Sequence, residues 1–200
     1  MQIVLATRNK GKIRELERIL AQVFPEADLI GTDQFPDLHD VEETEDSFEG
    51  NALLKAREVS RFTVLPAIAD DSGLAVDYLN GAPGIFSARY SGVHGDDHAN
   101  LMKVLDEMRN VSERSAQFVC AAAFVAQNGY ERVLRAEMQG HLIDAPRGSH
   151  GFGYDPIFVP NGYEQTTAEL EPDIKDSISH RGIAMREIAK LISDEKSKWL

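Results

Sequence analysis

The 200-residue chain carries 33 acidic against 21 basic residues, a formal net charge of -12, with 42% apolar and 27% charged content. That is the composition of a folded globular protein, in one domain of ordinary size or one with two lobes, and it excludes a disordered or low-complexity chain. The acidic field repels a polyphosphate backbone, which argues against general nucleic-acid binding and leaves a small anion only a pocket where the scarce cations converge.

In chain order, QIVLAT reads as a buried strand, and Ile13, Leu16, Leu20 and Val23 recur at spacings of three and four, the mark of an amphipathic helix. ADLIGT offers a second strand. In EETEDSFEGNALLKAREVSRF, acidic residues that suit a helix start precede Phe48, Ala52, Ala56 and Val59 on one helical face. LPAIADDSGLAVDYL reads as an apolar run, an acidic turn at Asp70 and Asp71, and another apolar run, so two strands are expected to flank the carboxylates. GAPG marks the next reversal, and Leu101, Val104, Leu105 and Met108 outline a further helix.

Next, AQFVCAAAFVAQNGYERVLRAEMQGHLI reads as two long strands joined at Asn128-Gly129, a strong hairpin signal. The single cysteine, Cys120, falls in the apolar run and reads as a small core residue. GFGYDPIFVP is a glycine-rich loop entering a strand, and Ile183, Ile188, Leu191 and Ile192 define a C-terminal helix. The alternation predicts an α/β protein with a mixed sheet. No apolar run exceeds the nine residues of FVCAAAFVA, and no signal-peptide layout is present, so a cytoplasmic protein without a membrane partner is expected.

Four segments could carry chemistry. TRNKGK, between a strand and a helix, offers backbone amides, a positive helix end and the Lys12 charge to a phosphate; it is not a Walker A loop, and the alternative is a solvated polar turn. Asp70 and Asp71 point to opposite faces if extended, so only one can face a given pocket. With acids from Glu42 to Glu49, that one would give hard oxygens suited to Mg²⁺, against an alternative of turn and helix-dipole acids. GFGYDP combines glycines for close approach with the aromatic faces of Phe152 and Tyr154 and the acceptor Asp155. KDSISHRG gathers Lys175, Ser179, His180 and Arg181 at a helix start, where cations oppose the macrodipole. Together they are the parts for metal-assisted chemistry on a nucleoside triphosphate.

TRNKGK, EET with SFEGNALLKAR, PAIADDSGLAVDYLNGAPGIFSARYSG, GFGYDPIF and SISHRG stand in the order seen in the inosine triphosphate pyrophosphatase family, which the chain resembles over nearly its whole length, its bacterial dITP/XTP pyrophosphatase branch above all. The resemblance implies an elongated mixed β-sheet flanked by helices, in a single domain over 1–200 with two lobes around a central cleft. It implies a homodimeric, Mg²⁺-dependent hydrolase that cuts (d)ITP and XTP to the monophosphate and pyrophosphate and keeps deaminated purines out of DNA and RNA.

Residue by residue, the family's triphosphate loop falls on Thr7, Arg8, Asn9, Lys10, Gly11 and Lys12. Its catalytic aspartate and metal ligand falls on Asp71 beside Ser72, and its glutamate metal ligand on Glu42 beside Glu43. Its nucleoside loop falls on Phe152, Gly153, Tyr154 and Asp155, and its contacts near the base on Lys175, His180 and Arg181. His180 and Arg181 are expected to meet the 6-keto oxygen of hypoxanthine or xanthine. One departure is Gly50, where relatives commonly carry Glu before Asn-Ala. Rival expectations are a Maf-type pyrophosphatase of pyrimidine or modified nucleotides and a nucleotide-binding module without turnover.

Overall fold

A computed structural model describes all residues, 1–200. β1 (Gln2–Leu5) leads into α1 (Lys10–Val23), whose N-cap Asn9 accepts the amides of Gly11 at 2.8 Å and Lys12 at 3.1 Å. β2 (Asp28–Gly31) follows. α2 (Phe48–Thr63) starts at Ser47, whose Oγ accepts the Gly50 N–H at 3.2 Å, and stops where Val64 turns left-handed at φ 56°. Such caps satisfy amides that a helix leaves orphaned in its first turn.

β3 (Ala67–Val76) is one unbroken strand, in place of the two strands and acidic turn expected from the sequence. The paired aspartates do not break it because each carboxylate has a cation partner. Asp70, 1% exposed, meets Lys12 and Arg181, and Asp71, 5% exposed, meets Lys55. Alternation along the strand then sends the two carboxylates to opposite faces of the sheet.

α3 (Asp97–Glu107) is capped by Asp96, whose carboxylate accepts the Ala99 N–H at 2.9 Å. β4 (Ser115–Val125) and β5 (Glu131–Leu142) form the anticipated hairpin, with Gly129 at φ +86° and the Asn128 Oδ1 accepting the Tyr130 N–H. β6 (Phe158–Pro160), α4 (Pro172–Ile178) and α5 (His180–Asp194) complete the chain. The six strands lie in the order β2-β1-β3-β4-β5-β6. β1 runs parallel to β2 and β3, and β6 antiparallel to β5, so the sheet is mixed and the fold α/β, as expected. No helix is long and apolar enough to cross a membrane.

The chain gathers into two compact units, the first made of Met1–Asp71, Cys120–Ala136 and Arg181–Leu200, the second of Ser72–Val119 and Glu137–His180. The first packs Ile3, Leu5, Leu16, Leu20, Phe24, Phe124, Ile188 and Trp199 into a core, with Cys120 inside it as a small core residue. The second packs Leu74, Val104, Met108, Phe118, Ile157 and Phe158.

Candidate active site

In the first unit, β3 and the helices α1, α2 and α5 assemble a cluster of charges. Asp71 Oδ1 receives the Lys55 ammonium at 3.1 Å, and Lys55 also donates to Glu43 Oε1 at 2.8 Å. Asp71 Oδ2 receives the side-chain amide of Asn51 at 3.2 Å. Burial, reinforced by the Glu43 carboxylate and opposed by the Lys55 ammonium, pushes the Asp71 carboxyl up to about 6. Burial pulls the other way on Lys55, but Asp71, Glu43 and Asp70 outweigh it and hold the ammonium above its ordinary value.

Asp70 is set up in the opposite sense. Its Oδ2 meets Lys12 Nζ at 2.9 Å and Arg181 Nε at 3.2 Å, and Arg181 Nη1 donates to Glu15. Burial works against the charge, yet Lys12, Arg181 and Lys55 outweigh it and keep Asp70 well below the usual carboxylate range. Neighbouring carboxylates thus diverge: Asp70 is a fixed anion inside an ion-pair network, and Asp71 is poised to take a proton. Such a split marks acid–base assignments.

Glu15, Glu43, Asp70 and Asp71 are paired in this cluster with Lys12, Lys55 and Arg181. Asp71 and Glu43, two hard oxygen donors sharing one ammonium, fit a divalent cation that completes its shell with water and phosphate oxygens.

The second unit organises the aromatic loop. Asp155 Oδ2 accepts the Phe152 N–H at 2.8 Å and Lys175 Nζ at 2.6 Å, while Oδ1 accepts the Thr167 hydroxyl at 2.9 Å. Asp155 therefore ties the loop together from inside. Gly151 permits this: at φ +76°, a Cβ there would sit 2.0 Å from Asp155 Oδ2. Gly153 donates its N–H to Asp97 at 2.9 Å, and the Tyr154 hydroxyl donates to the Ser87 carbonyl at 2.8 Å. Lys175 stands 5.4 Å over the half-exposed Phe152 ring, and His180 stacks on Phe118 at 4.9 Å between centroids.

The expected residues thus divide. Asp71, Lys12 and Arg181 come together in the first unit, and Phe152, Gly153, Tyr154, Asp155, Lys175 and His180 in the second, which also holds the half-buried Ser72. In the Thr7–Lys12 loop, Thr7 Oγ1 accepts the Asn9 N–H and Asn9 accepts those of Gly11 and Lys12, so the loop caps its own amides. Arg8 pairs with Asp40 at 2.9 Å, and Lys10 is exposed. Two expected residues stand in a particular setting. Arg181, 3% exposed, gives its Nε to Asp70 and its Nη1 to Glu15. Glu42 is exposed and lines a surface hollow with Asp37, His39 and Phe62, while its neighbour Glu43 pairs with the Lys55 ammonium.

Sequence reasoning passed over Glu15, Asn51 and Lys55. A signal was present: Lys12 and Glu15 share a helical face with Leu16 and Ile19, and Asn51 and Lys55 interrupt the stripe of Phe48, Ala52, Ala56 and Val59. Polar residues on a core-facing stripe must find partners inside.

Residues 3–191 match the model of the Ham1 family. The chain belongs to the Ham1 family. This Ham1 protein is 52% identical over 195 residues to a dITP/XTP pyrophosphatase of Streptomyces avermitilis, covering 96% of the chain and 98% of the relative. It is 50% identical over 195 residues to that of Streptomyces coelicolor, with the same coverage. Among solved structures, the Ham1 protein of Staphylococcus aureus superposes with a TM-score of 0.86 at 40% identity, over 98% of this chain and 100% of that one. A HAM1 protein from Coxiella burnetii gives 0.87 at 39% identity, over 97% and 99%.

Proposed function

We propose that this Ham1 protein is a pyrophosphohydrolase of deaminated purine nucleoside triphosphates, cleaving dITP, ITP and XTP to the nucleoside monophosphate and pyrophosphate. The relatives named above are dITP/XTP pyrophosphatases at about half identity over nearly their full length. The observation in the molecule that supports the chemistry is the divergence of two adjacent carboxylates, with Asp71 raised to about 6 beside Lys55 and Glu43.

Asp71 is the general base. Its carboxylate orients a water toward the α-phosphorus and takes its proton; the water oxygen bonds to that phosphorus as the bond to the bridging oxygen breaks, and the electron pair leaves with pyrophosphate. Lys55 keeps Asp71 ionised and aimed, and Lys12, anchored on Asp70, offsets charge on the phosphates. Asp71 and Glu43 would hold a divalent cation, with Mg²⁺ the best match to their oxygens, and when bound it would supply charge neutralisation on the phosphates. The loop around Phe152 and Tyr154, with Lys175 and His180, supplies a stacking surface and donors that favour a 6-keto purine over adenine; unmatched buried donors can reject a wrong base by up to ~10⁴–10⁵.

A homodimer belongs to the same reading, supported by the exposed apolar side chains of Tyr78, Phe86 and Val93 within one stretch of chain. Sedimentation equilibrium would show it as a two-chain mass; a single-chain mass at micromolar concentration would remove it.

The test of the activity is a panel of dITP, XTP, dGTP, dATP and dTTP with Mg²⁺ and product identification. Pyrophosphate release from dITP and XTP with the other three slow is expected. Activity confined to dTTP would point to the pyrimidine specificity of Maf-type enzymes. Tight binding with no turnover of any substrate would make the protein a nucleotide-binding module.

A further inference from the structure

The geometry points to Asn51 as a positioning residue for the hydrolysis, one carboxamide that locks the Glu43-bearing loop and Asp71 into a single register. This rests on the hydrolytic reading of the same site. Asn51 lies in the first turn of α2 with no exposed surface. Its Oδ1 accepts the backbone N–H of Glu45 at 3.1 Å, and its Nδ2 donates to Asp71 Oδ2 at 3.2 Å. The orientation of the amide is forced: a backbone N–H can only donate and a carboxylate can only accept, so the oxygen must face Glu45 and the NH₂ must face Asp71.

The contacts close a ring. From Asn51 the chain of bonds runs to Asp71, from Asp71 Oδ1 to Lys55, from Lys55 to Glu43, and along the backbone from Glu43 to Glu45 and back to Asn51. Asn51 and Lys55 are one helical turn apart, so each grips a different oxygen of Asp71 from the same face of α2. That leaves the carboxylate no freedom to rotate while keeping lone pairs on both oxygens. Gly50 makes room for the ring: a Cβ there would lie 2.8 Å from Glu45 Cβ and 3.0 Å from Ser47 Oγ, so a side chain would push the 45–47 segment away from α2.

The experiment is steady-state kinetics on dITP, melting temperatures and side-chain amide NMR for wild type, Asn51→Asp and Gly50→Ala. Asn51→Asp keeps an oxygen to accept from Glu45, removes the donor to Asp71 and sets a second carboxylate oxygen against it. Loss of alignment at the reacting group is expected to lower kcat by about a hundredfold with KM held within about threefold. Gly50→Ala removes no functional group but displaces the 45–47 segment, and its expected result is a smaller fall, about tenfold, again in kcat. In the ¹H–¹⁵N spectrum the Asn51 NH₂ should resist hydrogen exchange and shift in Asp71→Asn, which reports the contact itself, while the fall in kcat at constant KM is the readout that a purely structural asparagine would not give.

Asn51→Asp with kcat within about threefold of wild type would overturn the inference. So would an Asn51 amide unmoved by Asp71→Asn, and that readout decides the matter if Asn51→Asp does not fold. A wild type inert toward every triphosphate sinks the hydrolytic reading instead, and is distinguished by the wild-type assay alone.

Discussion

Replacing Asp71 with asparagine should make the protein more stable at the pH where it works while abolishing turnover. Burial together with Glu43 lifts the Asp71 carboxyl from an ordinary 3.8 to about 6. At ~1.4 kcal/mol per pH unit, ionising it in the folded protein costs ~3 kcal/mol. The sign follows from linkage: the folded state binds the proton more tightly than the unfolded chain, so stability is fully present below 3.8, falls as pH rises toward 6, and stays lost above. The carboxamide of the Asp71→Asn variant never ionises and escapes that cost. It brings one of its own, because a carboxamide cannot accept from Asn51 and Lys55 through both atoms; one mismatched buried donor takes back ~1–2 kcal/mol.

The net gain is then ~1–2 kcal/mol at pH 8, or ~2–8 °C in Tm for a chain of this length. Calorimetric melts of both proteins from pH 4 to 8 with EDTA present measure it. The expected Tm difference grows between pH 4 and 6 in favour of Asp71→Asn and levels off above. A difference that does not change with pH, or a variant that melts lower at pH 8, would refute the reasoning about Asp71.

Arg181→Met removes the guanidinium that Asp70 and Glu15 share, and breaking these buried ion pairs from one side should cost ~3–5 kcal/mol, read as a lower denaturant midpoint at pH 7. Gly73→Ala places a Cβ 2.3 Å from Ser87 Oγ and 2.4 Å from the Gly84 carbonyl, so it should destabilise by ~1–3 kcal/mol in urea melts without altering which base is preferred. Lys55→Met leaves Glu43 and Asp71 without their shared ammonium, and kcat on dITP should fall by about 10²-fold while the other ion pairs keep the fold.

Local chemistry made much of the fold legible. Asn128-Gly129 between alternating residues is a hairpin in any context, and the three-and-four spacing after TRNKGK needs no tertiary information to be a helix. β3 was misread because two adjacent carboxylates look like a turn until their partners are known, and those partners are remote: Lys55 lies 16 residues from Asp71, and Arg181 lies 111 from Asp70. The ordered motifs pointed to Asp71, Glu42 and the aromatic loop. They could not show that Lys55 pairs with Glu43 beside Glu42, nor that Arg181 donates to Asp70 and Glu15. Asn51 and Lys55 were visible as polar breaks in an apolar stripe, which says that they have buried partners without saying which.

The claim at the centre of this account is that Asp71 directs water to the α-phosphorus. The most direct measurement is single-turnover hydrolysis of dITP in H₂¹⁸O with mass analysis of both products. The account predicts one ¹⁸O in dIMP and none in pyrophosphate. Label in pyrophosphate, or release of dIDP with labelled phosphate, would place the attack on another phosphorus and contradict the role given to Asp71.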